Sequence, residues 1–189
     1  MTDFTAAFSA ALSLVATLDD DLVEIVGLSL HVSLMAVMIA SLIGLPVGAA
    51  VALFRFPGRT VAAVFLNALM GLPPVVVGLV VYLLLSRSGP FGVFGLLFSP
   101  TAMIIAQVLL VTPIIAALAR QVIEDLWSEY QEQLRSLGAG PLRALPTLLW
   151  DGRFSLITAV LAGFGRASAE VGAVMIVGGN IDHVTRVMT

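Results

Sequence analysis

Four apolar runs, each long enough to cross a bilayer, decide what this chain can be; they fall within residues 22–54, 60–86, 101–119 and 154–177. A hydrocarbon interior offers no water to backbone amides, so each run must satisfy its own hydrogen bonds, and a helix does this within one segment. The predicted fold class is therefore an all-α polytopic membrane protein built as one membrane domain. A charged fraction of 11% and a mean hydropathy of +1.07 exclude an ordinary soluble domain.

Two missing residue types exclude further classes. The sequence has no cysteine, which removes disulfides, thiolate metal sites and cysteine nucleophiles. It has no lysine either, since all nine basic residues are arginines. A phosphate-binding P-loop needs its lysine, so ATP-driven work by this chain would require another subunit. No cofactor and no metal site is expected, and neither is a nucleic-acid partner. Upstream of the first run, Phe4, Ala7, Phe8, Ala11, Leu12 and Val15 recur at helical spacing over residues 4–18, too short to span. Asp3 before it and Asp19, Asp20 and Asp21 after it rule against a signal peptide. Residues 1–21 are read as an amino-terminal interfacial segment or a short helix on the protein's own shoulder, and residues 22–189 as the transmembrane domain.

The spans carry unusual interruptions. The first holds Gly44-Leu45-Pro46-Val47-Gly48, whose glycines permit close helix approach and whose proline predicts a bend; His31 nearer its start reads as an interfacial side chain. The second holds Gly71-Leu72-Pro73-Pro74, where two prolines delete two amide donors and crowd the carbonyls of Leu69 and Met70. In hydrocarbon such a break is tolerated against protein or beside a water-filled path. Residues 87–100 are glycine-rich and aromatic and are expected at the outer interface, where Phe91, Phe94 and Phe98 either dip into headgroups as a belt or plug the path. The third span contains Pro113, which frees the carbonyl of Leu109, with the Thr112 hydroxyl near enough to compensate. The fourth, expected as one helix to about Val177, has small residues at Gly165, Ala169 and Ala173 and two charges, Arg166 and Glu170, one turn apart. Each charge costs roughly 2.5 to 3.5 kcal/mol at a helix centre, so neither should face lipid. Mutual pairing, a lock to a neighbouring helix or symmetry mate, and anion binding by Arg166 are the readings open here.

The one long polar stretch runs from Arg120 to Arg153. Glu124, Asp125, Glu129 and Glu132 come early, Arg135, Arg143 and Arg153 late, and Gly138-Ala139-Gly140-Pro141 interrupts it. That order predicts a helix, a break and a second helix. With the amino terminus outside, Arg55, Arg59, Arg120, Arg135, Arg143 and Arg153 fall in cytoplasmic segments, against Arg87 and Arg186 outside, as the positive-inside rule requires.

This loop resembles the coupling loop of the permease subunits of bacterial ATP-binding-cassette importers, whose core reads E-A-A-x-x-x-G. Here the core is Glu132-Gln133-Leu134-Arg135-Ser136-Leu137-Gly138, with the acid and glycine at the family's spacing, both alanines replaced, and Trp150-Asp151 where Leu-Pro usually follows. Residues 163–180, GFGRASAEVGAVMIVGGN, are similar to the helix after that loop in tungstate-type permeases, relatives of the molybdate ones. The resemblance covers residues 22–189 and implies a type I importer permease fold with a five-span core. Only four spans are visible, so the fifth helix of that core is expected to be missing from this sequence. It also implies a cytoplasmic coupling loop over 120–153 that meets the ATPase through Glu129, Glu132, Gln133, Leu134, Leu137, Gly138 and Ala139. A translocation path is implied beside Gly71, Pro73 and Pro74, with Thr112 and Pro113 also assigned to it. The implied partners are a second copy of the chain, ATPase subunits carrying the ATP, and an extracytoplasmic oxyanion-binding protein. The implied place is the bacterial inner membrane, and the implied cargo is a tetrahedral oxyanion, tungstate first and molybdate or another dianion next.

Two other classes compete. A channel or secondary transporter would explain kinked spans and buried charges but not the polar loop, and no internal repeat is evident. A membrane-embedded enzyme would need more than Arg166 and Glu170 at one depth.

Overall fold

The computed structural model describes residues 20–188; the helix expected over residues 4–18 lies outside them. Helix α1 is Asp20–Leu53, α2 Arg59–Met70, α3 Pro74–Leu85, α4 Pro100–Ser136, α5 Pro141–Asp151, α6 Arg153–Ser168 and α7 Gly172–Gly178, with a single 3-10 turn at Gly92–Phe94. Among the described residues two helices, α1 and α4, are long and apolar enough to cross a membrane alone, and counting each of the bent pairs α2–α3 and α6–α7 as one span gives up to four.

The α1–α4 pair is the spine. Ala36, Ala40, Gly44, Gly48 and Ala52 are all buried and recur every fourth residue, so one face of α1 is a strip of small side chains. A side chain begun at Gly44 would lie 3.1 Å from the Thr112 carbonyl oxygen, and one begun at Gly48 would lie 2.9 Å from both the Ala119 methyl and the Arg120 amide. Backbone therefore meets backbone, the use expected of such glycines in a membrane. Leu34, Met38 and Leu42 on other faces of α1 stay exposed. The helix runs unbroken through Pro46.

Helix α4 changes the sequence-based picture. The third span and the first half of the polar loop are one helix of 37 residues, about 55 Å long at 1.5 Å per residue. That exceeds a hydrocarbon core of about 30 Å, so the charged half projects beyond it. Ala49, Ala52, Leu53, Ala119, Ile123, Ala144, Leu148 and Leu156 form a buried apolar cluster around this projecting end, backed by Trp127, Tyr130 and Leu134.

At the opposite end the chain doubles back. Phe98, at φ 61°, donates its amide to the Val177 carbonyl at 3.0 Å and meets Tyr82 edge-on at 6.3 Å, while Phe91 and Phe94 are exposed. The tail after Gly179 is docked rather than loose. Thr185, 1% exposed, donates to the Gly178 carbonyl and accepts the Ile181 amide, and Met188 donates to Ser29 of α1.

Candidate functional site

The second expected span is two helices meeting at 99°. Gly71 and Leu72 close the end of α2 by donating to the Ala68 and Leu69 carbonyls, Pro73 stands in extended conformation as the cap, and Pro74 opens α3. The double proline thus avoids the predicted clash with the preceding carbonyls by ending one helix and starting another, at the position where a missing amide costs nothing. At about 18 Å each, neither half crosses the core alone.

The fourth expected span is also broken, which corrects the reading of one helix to Val177. Helix α6 stops at Ser168 and α7 leaves at 58°. The two breaks lie together. A side chain begun at Gly172 would meet Val75 at 3.0 Å, and one begun at Gly78 would come within 2.7 Å of the Ala173 Cα, so the first turns of α3 and α7 pack backbone to backbone. The expected stripe Gly165, Ala169, Ala173 is split by this bend: Ala173 is buried against α3, whereas Ala169 is exposed and nothing stands within 4 Å of a side chain begun at Gly165.

Arg166 and Glu170 do not form the pair that their spacing suggested. Glu170, 9% exposed, turns to the break and accepts the Ala173 amide at 2.9 Å, capping α7. The bend between the two residues sends the carboxylate away from the helical face it would otherwise share with the arginine. Beside Glu170 is a cavity of about 20 Å³ among Ser29, Ser33, Gln107 and Ser168, room for a single water. Gln107, 3% exposed, donates to the Ala167 carbonyl at 3.1 Å, leaving its Oε1 enclosed and open for a donor.

Thr112 and Pro113 lie within α4. Pro113 is buried, the Thr112 carbonyl faces Gly44, and the Thr112 hydroxyl donates to Val108 at 2.7 Å rather than to the freed Leu109 carbonyl. Thr112 thus joins the α1–α4 spine, and Leu72 of the first break packs on the cluster that holds Leu110, less than one turn before it on α4.

The projecting end of α4 carries a charge network that sequence reading missed. Glu124 receives Arg59 at 2.6 Å on one oxygen and Arg120 on the other, and Arg59 also donates to the Val51 and Ala52 carbonyls at the end of α1. One carboxylate so ties α1, α2 and α4 together. Only the i,i+4 spacing of Arg120 and Glu124 was visible in sequence. Farther out, Glu129, Glu132, Gln133, Leu137 and Gly138 are exposed, and Leu134 and Ala139 half-buried. Gly138 stands at φ 76° and donates to the Arg135 carbonyl at 2.9 Å, while Ala139 donates to Leu134 at 2.8 Å. This is the double closure that needs a left-handed residue after a helix. Leu137 and Leu142, 82% and 70% exposed, flank a groove of about 350 Å³ lined by Phe54, Gly138, Gly140, Pro141, Leu142 and Arg143.

Residues 44–177 match the family described as "Binding-protein-dependent transport system inner membrane component". Over 182 residues, 96% of this chain and 80% of the relative, it is 41% identical to the tungstate uptake system permease protein TupB of Peptoclostridium acidaminophilum. The protein of the same name from Campylobacter jejuni is 36% identical over 182 residues, 96% of this chain and 76% of its own. A probable anion ABC transporter permease protein of Haloferax volcanii is 41% identical over 160 residues, 85% of this chain and 69% of its own.

Proposed function

The chain belongs to the family of binding-protein-dependent transport system inner membrane components, and from that premise we propose that it is the permease of a tungstate importer. Membership makes it a membrane transport component of an ABC system, the class that works with an ATPase and a binding protein. The finer reading is that ATP is hydrolysed on separate subunits, that two copies of this chain form the path, and that the amino terminus faces outward. The observation that carries the cargo is the 41% identity over 96% of the chain to a permease named for tungstate uptake.

On this reading the exposed end of α4, with Glu129, Glu132, Gln133, Leu134, Leu137, Gly138 and Ala139, is where the ATPase takes hold. Because α4 continues into the membrane without a break, a push there reaches the spine directly, and the Arg59–Glu124–Arg120 network carries it to α1 and α2. The paired breaks around Gly71, Pro73 and Pro74 and around Ala169–Val171 form the pliable part beside the path. Discontinuous helices meeting at one depth suit alternating access, since short halves can rock while long helices stay rigid. Thr112 and Pro113 support this region from the spine.

The test is uptake into vesicles holding the permease with its ATPase and binding protein. Tungstate should enter only with ATP, and unlabelled tungstate should compete better than molybdate or sulfate. ATP-independent flux would leave a channel or secondary transporter, and preference for another anion would reassign the cargo. Single cysteines at residues 71–74, in a chain with none of its own, should react with a water-soluble thiol reagent. Protection in every transport state would remove the path from this break.

A further inference from the structure

Arg166 stands in the last turn of α6, three residues before the bend at Ala169. It is half-buried, its Nε is enclosed with no hydrogen-bond partner, and it enters no ion pair among the described residues. The nearest acid in sequence, Glu170, places its Oε1 on the Ala173 amide and forms no ion pair with the arginine. The remaining described acids lie at residues 20–24, 124–132, 151 and 182, toward the ends of the spans. A cation within a span persists where an anion or a polar path meets it, not against lipid.

The surface beside it is open. Ala162 and Ala169, its neighbours one turn to either side, are exposed, and the space at Gly165 is empty to 4 Å. We infer that Arg166 is the residue that holds the oxyanion during passage, its guanidinium donating to two oxygens of the tetrahedral dianion. Guanidinium is always charged and presents donors in a fixed fork, and attachment through a single side chain on an open face permits release. The α7 cap is part of the device, because it holds Glu170 out of an ion pair with the arginine. In the proposed homodimer two such arginines bring two positive charges, which match the two negative charges of the cargo.

This inference rests on the oxyanion reading, and the experiment separates the two. The intact complex of permease, ATPase and binding protein is reconstituted in liposomes, and ATP-driven tungstate uptake is measured. Arg166→Gln should keep its ATPase and its basal ATP hydrolysis while uptake falls about tenfold or more, as loss of a charge-assisted contact predicts; Arg166→Lys should recover much of it. Arg166→Cys is then labelled after assembly, so that folding is not in question. An aminoethyl thiosulfonate, which restores a positive charge, should raise uptake, a sulfonatoethyl one should not, and excess tungstate should slow both labelling reactions. Unchanged uptake in Arg166→Gln, or equal effects of the two reagents on Arg166→Cys, overturns the assignment while wild-type uptake keeps the importer reading. A wild-type complex that moves no tungstate, molybdate or sulfate overturns both.

Discussion

Gly48→Ala probes the spine where it is tightest. The added methyl carbon would sit 2.9 Å from the Ala119 methyl and 2.9 Å from the Arg120 amide, and closer still to the Ala116 carbonyl. That is about 0.6 to 1.1 Å inside the 3.5–4.0 Å optimum for carbon pairs. Two of the three obstacles are backbone, so no rotamer change relieves them and the helices must part. Overpacking of this kind costs about 1 to 3 kcal/mol. Gly→Ala also favours a helix by about 1 kcal/mol, and Gly27→Ala isolates that gain, since Gly27 is in the same helix with nothing within 4 Å. The quantity to measure is the difference between the two variants in reversible unfolding in mixed detergent and sodium dodecyl sulfate micelles, followed by circular dichroism. Gly48→Ala should be less stable than Gly27→Ala by about 1 to 3 kcal/mol, roughly 5- to 150-fold in the unfolding constant. Equal stabilities would mean that α1 and α4 are not packed backbone to backbone, and the account of the spine would fail.

Three further outcomes follow from the structure. At Gly138 the space is open but φ is 76°, so the penalty for a side chain is conformational, about 1 to 2 kcal/mol; copurification with the ATPase should fall from wild type to Gly138→Asn to Gly138→Leu, and indifference to this order would remove the backbone argument. Glu124→Ala, which strands Arg59 and Arg120 together, should lower thermal stability by roughly 1 to 2 kcal/mol, whereas Asp125→Ala next to it should change little; similar losses would count against the network. His183 is raised above its ordinary value of 6.5 by the hydrogen bond to Glu24 and then by the charge of Asp182. Its contribution is therefore complete below pH 6.5 and fades as pH rises through the raised value. The thermal midpoint should show that fall in wild type and lose it in Glu24→Gln; an unchanged profile in the variant would assign the pH dependence to another group.

Much of the architecture was legible because membranes make local sequence decisive. Apolar length marked the spans, Pro73 and Pro74 marked the first break, and the Gly44–Gly48 spacing marked the face that α4 now covers, since each of these signals acts within a few residues of its effect. The polar stretch from Arg120 misled on one point. Charge normally signals departure from a helix buried in lipid, but charge does not end a helix, and without a glycine or proline before Gly138 the third span had no reason to stop at Ala119.

What tertiary structure alone decided is concentrated around Glu170. No proline announces the bend between α6 and α7, and Arg166 and Glu170 are spaced as a pair on any continuous helix. The bend exists where Gly78 lets α3 press against Ala173 and Gly172 meets Val75, contacts between residues nearly one hundred positions apart. Once α7 turns, its first amides need an acceptor, and the buried carboxylate is the group within reach. Local spacing sets which charges can meet; the packing of a distant helix settles which of them does.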